Sequence, residues 1–78
     1  MQAMEALQQA AANAGKPLTR IGLEMGKSRQ FVHSTMRKGS IPQCNTMAKM
    51  LQVCGYRLVA LPESEPLPGC ALVIDGEE

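Results

Sequence analysis

Apolar residues recur at helical spacing through the first two-thirds of the chain, then give way to short apolar runs broken by prolines. Met4, Leu7, Ala11 and Ala14 follow steps of three and four in a segment rich in Ala and Gln. They predict a first helix from Gln2 to Ala14, stopped by Gly15. Pro17 suits the first turn of a second helix, where its missing N–H is no loss. That helix runs from Leu18 to Met25 with Leu18, Ile21 and Met25 on one face, and Gly26 ends it. Gly22 inside it costs about 1 kcal/mol relative to alanine, so a close approach by the neighbouring helix is the expected return.

A third helix is predicted from Ser28, a good N-cap residue, to about Arg37, stopping before Gly39. Phe31, Val32, Thr35 and Met36 make its apolar stripe. Gln30, His33, Ser34 and Arg37 make the opposite one, with Arg29 on the flank. Gly39-Ser40-Ile41-Pro42 turns the chain into a fourth helix, Cys44 to Cys54, with Met47, Met50, Leu51 and Cys54 on one face. Tyr56 to Leu61 and Cys70 to Asp75 read as strands on either side of a loop containing Pro62, Pro66 and Pro68. A lone two-stranded hairpin is marginal in water, so this one should pack on the helices and pair with a second chain. The expected fold is mainly α: four helices over residues 1–55, followed within the same domain by a C-terminal β-hairpin and acidic tail over 56–78.

Length fits that picture. A 78-residue chain is one domain, and at this size it buries only about 60% of its unfolded surface, so oligomerisation is a common remedy. With Phe31 and Tyr56 as its aromatic residues, the core must come from Met, Leu, Val, Ile and Ala, and Met25, Met36, Met47 and Met50 are read as core-filling. Cys44, Cys54 and Cys70 have no Cys-x-x-Cys spacing. They are expected to be small buried hydrophobes rather than a disulfide framework or zinc site. No apolar run reaches the roughly 20 residues that span a bilayer. No basic segment followed by an apolar stretch marks a secretory signal, so the expected location is the cytoplasm.

Charge alters the functional picture more than size does. Net charge is +1, but Lys16, Arg20, Lys27, Arg29, Arg37, Lys38 and Lys49 face Glu24 alone between residues 16 and 49, a balance of +6. From Leu58 onward there is no base, and Glu63, Glu65, Asp75, Glu77 and Glu78 give −5. A basic middle suits a polyanionic partner, and the acidic tail would lie away from it.

Leu18-Thr-Arg-Ile-Gly-Leu-Glu-Met-Gly-Lys-Ser-Arg-Gln-Phe-Val-His-Ser34 resembles the lambda-repressor/Cro-type (XRE-like) helix-turn-helix. Ile21-Gly22 stands where that family often has Leu-Ala, Lys27-Ser28 where an apolar residue and Ser/Thr open the recognition helix, and Val32 at its buried aliphatic position. Gly39-Ser-Ile-Pro42 and Thr46 to Tyr56 are similar to the exit turn and fourth helix, so the likeness spans residues 4 to about 56. Lys27 for an apolar residue, Gly22 for alanine, and one extra residue between Gly26 and Gly39 depart from the pattern.

The resemblance implies a transcriptional regulator, a phage-type repressor or an antitoxin-like autoregulator. It would bind double-stranded DNA as a homodimer, its recognition helices about one helical turn (roughly 34–36 Å) apart. A toxin or other protein is a further partner this scaffold can take. Arg29 and Gln30 are then the first-turn base readers, with Ser34 one turn later and His33 beside it; Arg suits guanine and Gln suits adenine. Ser28 would cap the helix and touch a phosphate, and Thr19, Lys27, Arg37 and Lys38 are further phosphate contacts. His33 can equally be a plain surface residue. No thiol or carboxylate stands at ligand spacing from it, so no metal or cofactor is expected. The acids lack a nearby base or nucleophile and no phosphate-binding glycine loop is present, so no enzyme is expected. The competing reading is a protein-interaction module on the same scaffold, without DNA activity.

Overall fold

A computed structural model describes residues 1–39 and 41–74. Four helices follow one another: α1 (Ala3–Ala14), α2 (Leu18–Glu24), α3 (Phe31–Lys38) and α4 (Cys44–Val53). The 3.6-residue period drives their packing. Each helix contributes one large side chain to the fully buried centre: Leu7 from α1, Ile21 from α2, Val32 from α3 and Met50 from α4. Ala10, Ala11, Met47, Leu51 and Cys54 fill the space between them, with Met4, Met25 and Met36 packed around the rim. Burying each large side chain is worth about 1.5–3 kcal/mol, and no polar side chain is buried among the described residues. α1 packs on α4, and α2 packs on both α3 and α4.

The helix C-termini are closed by backbone bonds, while at the start of α1 the Gln2 N–H donates to Glu5 Oε1 at 2.8 Å. At the end of α2, Gly26 takes the left-handed conformation (φ 77°), which frees its N–H to reach Leu23 O at 3.0 Å. The next N–H, that of Lys27, reaches back to Gly22 O at 2.8 Å. Pro17 sits one position earlier than expected, as the residue before α2's first turn, and its carbonyl accepts the Arg20 N–H at 3.0 Å.

The glycine at position 22 does meet a close neighbour. A methyl group there would overlap the Ser28 carbonyl oxygen and stand 3.3 Å from Phe31 Cβ, so α2 touches the approach to α3 through bare backbone. This contact also explains why α3 starts at Phe31 rather than just after Ser28. The Ser28 carbonyl lies against α2 and accepts the Phe31 N–H at 3.2 Å, forming a turn over residues 28–31. No side-chain cap bond is made at the N-terminus of α3, so Ser28 shapes the turn through its backbone instead of capping the helix.

Two further expectations are corrected. Among the described residues there is no β-strand, so the hairpin of Tyr56–Leu61 and Cys70–Asp75 is absent; Asp75, like Ser40 of the exit turn, lies outside those residues. Local turns take its place, with Glu65 N–H donating to Pro62 O at 3.0 Å and Ala71 N–H to Pro68 O at 3.1 Å. The N-terminal ammonium donates to Val73 O at 3.1 Å. Of the described residues in this last third, Tyr56 and Leu72 pack on the core, and Asn13 Nδ2 donates to the Tyr56 hydroxyl at 2.8 Å. Two runs with so little burial cannot offset the ordering of an isolated hairpin. Of the cysteines, Cys54 is buried as expected, but Cys44 and Cys70 are exposed, and all three are free thiols.

The Gly22 contact yields a stability prediction. Gly22→Ala gains about 1 kcal/mol of helix propensity but drives a methyl group into a carbonyl, an overpacking of about 1–3 kcal/mol. The expected net result is a loss of up to about 2 kcal/mol, read from the urea unfolding midpoint; a variant more stable than the parent would mean that α2 and the Ser28 turn are not this close.

Candidate nucleic-acid interface

Between α2 and α3 the chain runs exposed from Gly26 to Gln30. Its backbone is held at both ends: Lys27 N–H is tied to Gly22, Ser28 O faces α2, and Ser34 N–H reaches Gln30 O at 2.7 Å. A four-residue polar ridge, Lys27-Ser28-Arg29-Gln30, is therefore displayed on a fixed frame. α3 continues from it. Val32 is fully buried, while Phe31, Thr35 and Met36 are half-buried, and Thr35 Oγ1 donates to Phe31 O at 3.0 Å. Gln30, His33, Ser34 and Arg37, at steps of three and four, follow the opposite stripe.

The candidate residues distribute unevenly over this surface. Arg29 and Gln30 are exposed, but they belong to the turn ahead of α3 and not to its first helical turn. His33 and Ser34 lie half-buried on α3 itself. Arg37 and Lys38 are exposed in its last turn, where cations are favoured by the carbonyl end of the helix. Lys27 is exposed, its ammonium 5.7 Å from the centre of the Phe31 ring. Thr19 is half-buried in the first turn of α2, away from the ridge in sequence and on a different helix.

Electrostatics narrows the basic region that the sequence suggests. Glu24 pairs with both Lys16 (3.2 Å) and Arg20 (2.9 Å), so two of the seven bases are engaged within the fold. Lys16 Nζ also donates to Val53 O at 2.9 Å, joining the α1–α2 connection to the end of α4. This anchor was missed from the sequence because Lys16 and Glu24 are eight positions apart across a proline; only the Arg20–Glu24 pair at i,i+4 follows a readable rule. Among the described residues Lys27, Arg29, Arg37 and Lys38 form no ion pair, and no acid occurs between Glu24 and Glu63. Lys49 on α4 and Arg57 beyond it are likewise unpaired, so four of the six bases without an ion pair among the described residues stand ahead of or in the last turn of α3.

Other chemistry finds no assembled site here. Among the described residues no group of three metal-ligating side chains comes together. A cavity of about 310 Å³ is an open groove lined by Glu24, Met25, Lys49, Gln52 and Val53. No helix among the described residues is long and apolar enough to cross a membrane. Comparison with protein-family models, with curated proteins and with solved structures returns no match.

The Glu24 anchor carries a pH signature. Hydrogen bonding from Lys16, then from Arg20, holds its carboxyl below the ordinary value of 4.5 against the opposing effect of desolvation. A carboxyl whose folded-state pKa is depressed stabilises above its unfolded value and loses that contribution as pH falls through the folded value. Thermal unfolding followed downward from about pH 6 to about pH 3 should therefore show a shallower fall for Glu24→Gln than for the parent. Parallel curves would show that the pair adds nothing to stability.

Proposed function

We propose that this chain is a sequence-specific DNA-binding transcriptional regulator built on a helix-turn-helix of the lambda-repressor/Cro type, acting in the cytoplasm as a homodimer. The observation that carries the reading is the acid-free ridge from Lys27 to Gln30. It leads directly into α3, which the fully buried Val32 anchors in the core with Phe31, Thr35 and Met36 half-buried around it, while Gln30 just ahead of the helix and Arg37 in its last turn are exposed and His33 and Ser34 between them half-buried. A helix that enters the major groove needs this division: one stripe to hold it, another able to read base edges. Arg29 and Gln30 are the first base readers, with His33 and Ser34 behind them. Lys27, Ser28, Arg37 and Lys38 flank them as phosphate contacts, with Thr19 at the start of α2 as a further one.

The homodimer is supported by what the last third leaves uncovered. Arg57 to Leu61 belongs to no regular element, and its backbone has no hydrogen-bond partner among the described residues. Val59 is 61% exposed and Leu58 39%. Unpaired backbone beside exposed β-branched and aliphatic residues is a template for a strand from another chain. The same surface favours the second reading, an interaction module whose partner is a different protein such as a toxin.

Fluorescence anisotropy on duplexes that include the DNA upstream of the coding sequence tests the main reading across a salt series. Affinity should fall steeply with salt, with one duplex preferred. Arg29→Ala and Gln30→Ala should each lose about 1–3 kcal/mol of that preference, whereas Arg37→Ala should weaken every duplex alike. Absence of binding at low salt would transfer the function to a protein partner. For the dimer, Val59→Lys should leave helix content unchanged and convert the species seen by light scattering from dimer to monomer. A parent protein that is already monomeric would leave the apolar segment to another partner.

A further inference from the structure

We propose that Phe31 is a positioning residue which holds the Lys27 ammonium in place as a preformed phosphate ligand. This inference rests on the DNA-binding reading. Two lysines of this chain, one on either side of α2, show what distinguishes a structural ammonium from a vacant one. An ammonium has three donors. Those of Lys16 meet Glu24 Oε1 at 3.3 Å, Glu24 Oε2 at 3.2 Å and Val53 O at 2.9 Å, so Lys16 has no donor left to offer.

Lys27 is the opposite case. Its backbone is fixed by the 2.8 Å bond to Gly22 O, and its Nζ stands 5.7 Å from the centre of the Phe31 ring. The ring attracts the charge through its face and accepts none of the three N–H bonds in ordinary geometry. No acid pairs with Lys27 among the described residues, and the next acid along the chain is Glu63. The ammonium is therefore localised over the Phe31 ring at the start of α3 with its hydrogen-bonding capacity unspent.

Phe31 is itself immobilised. It is half-buried against the core, and its Cβ lies so near Gly22 of α2 that a methyl group there would stand 3.3 Å from it. A lysine on an unsupported loop loses rotamer freedom when it grips a phosphate; one already drawn to an aromatic face loses less. The arrangement places one cationic contact at the beginning of α3, opposite in the helix to Arg37 and Lys38, so that phosphates flanking a groove are met at both ends. Phe31 thus acts on DNA through Lys27, without touching it.

A thermodynamic cycle with a labelled mixed-sequence duplex of about two helical turns (about 20 base pairs) tests this. Lys27→Met should weaken binding and reduce the salt slope by about one phosphate contact. Phe31→Leu should weaken binding by about 2–5-fold while keeping the parent slope, because the charge remains but is no longer held. The double variant should bind like Lys27→Met alone, and Phe31→Tyr, which keeps a ring face, should bind like the parent. Urea unfolding of each variant confirms that the folded protein is being compared. Additive losses in the double variant, or an unchanged slope in Lys27→Met, would overturn the inference while leaving DNA binding intact. A parent that shows no salt-dependent binding would overturn both.

Discussion

The approach of the Ser28 carbonyl to Gly22 is the constraint on which the candidate surface depends. A single missing methyl group lets two stretches of backbone meet, and three consequences follow from that meeting. The Lys27 N–H finds Gly22 O, the chain turns over residues 28–31, and Phe31 is set against the core at the start of α3. Backbone contacts have no rotamers to sample. The frame that displays Lys27 to Gln30 is accordingly fixed by atoms that every residue type has, and the four side chains on it are left free of structural duty apart from the Lys27–Phe31 contact.

Charge is divided along the same line. One set of ionic groups holds helices together: Glu24 gathers Lys16 and Arg20, and Lys16 reaches the carbonyl of Val53, the last residue of α4, which an unassisted helix end would leave to water. The other set, at both ends of α3, is uncompensated. Counting residues by sign puts both sets into one basic segment; only their partners separate them. The useful electrostatic quantity for a polyanionic ligand is the unpaired fraction, since a lysine already bonded to a carboxylate must give up that bond before it can neutralise a phosphate.

How legible was this in the chain? The four helices were, to within a few residues, because a 3.6-residue apolar period and glycine stops are strong local signals, and the core positions Leu7, Ile21, Val32 and Met50 fall on those stripes. Gly22 was legible as a cost seeking a reason. The start of α3 was misread because Ser28 satisfies the N-cap rule by type, whereas a tertiary contact decides how its carbonyl is oriented. The hairpin was misread for a related reason. The apolar run in Tyr56–Leu61 signals β-propensity, but propensity needs a partner and a face to bury, and among the described residues Arg57 to Leu61 has neither. Cys44 and Cys70 show the limit of residue-type priors: cysteines are usually buried, yet one opens α4 and the other lies in the proline-rich tail.

The separation of frame from display bears on how a protein this small can recognise anything specific. With a core of Leu, Ile, Val, Ala and Met and no buried polar network, the margin of stability is narrow, and a site that borrowed core residues for binding would trade folding against function. Here Val32 and its apolar neighbours on α3 support the fold, whereas Arg29, Gln30 and Arg37 are exposed, so their substitution should have little effect on stability and, on the proposed reading, can change what is recognised. Thr35 marks the boundary between the two roles. Its hydroxyl bonds back to Phe31 O, turned inward to the helix that carries it, while its neighbour Ser34, one step round the helix, uses its backbone to continue the helix from Gln30 and makes no side-chain bond within the described fold. On the proposed reading, that one step round α3 is where holding ends and reading begins.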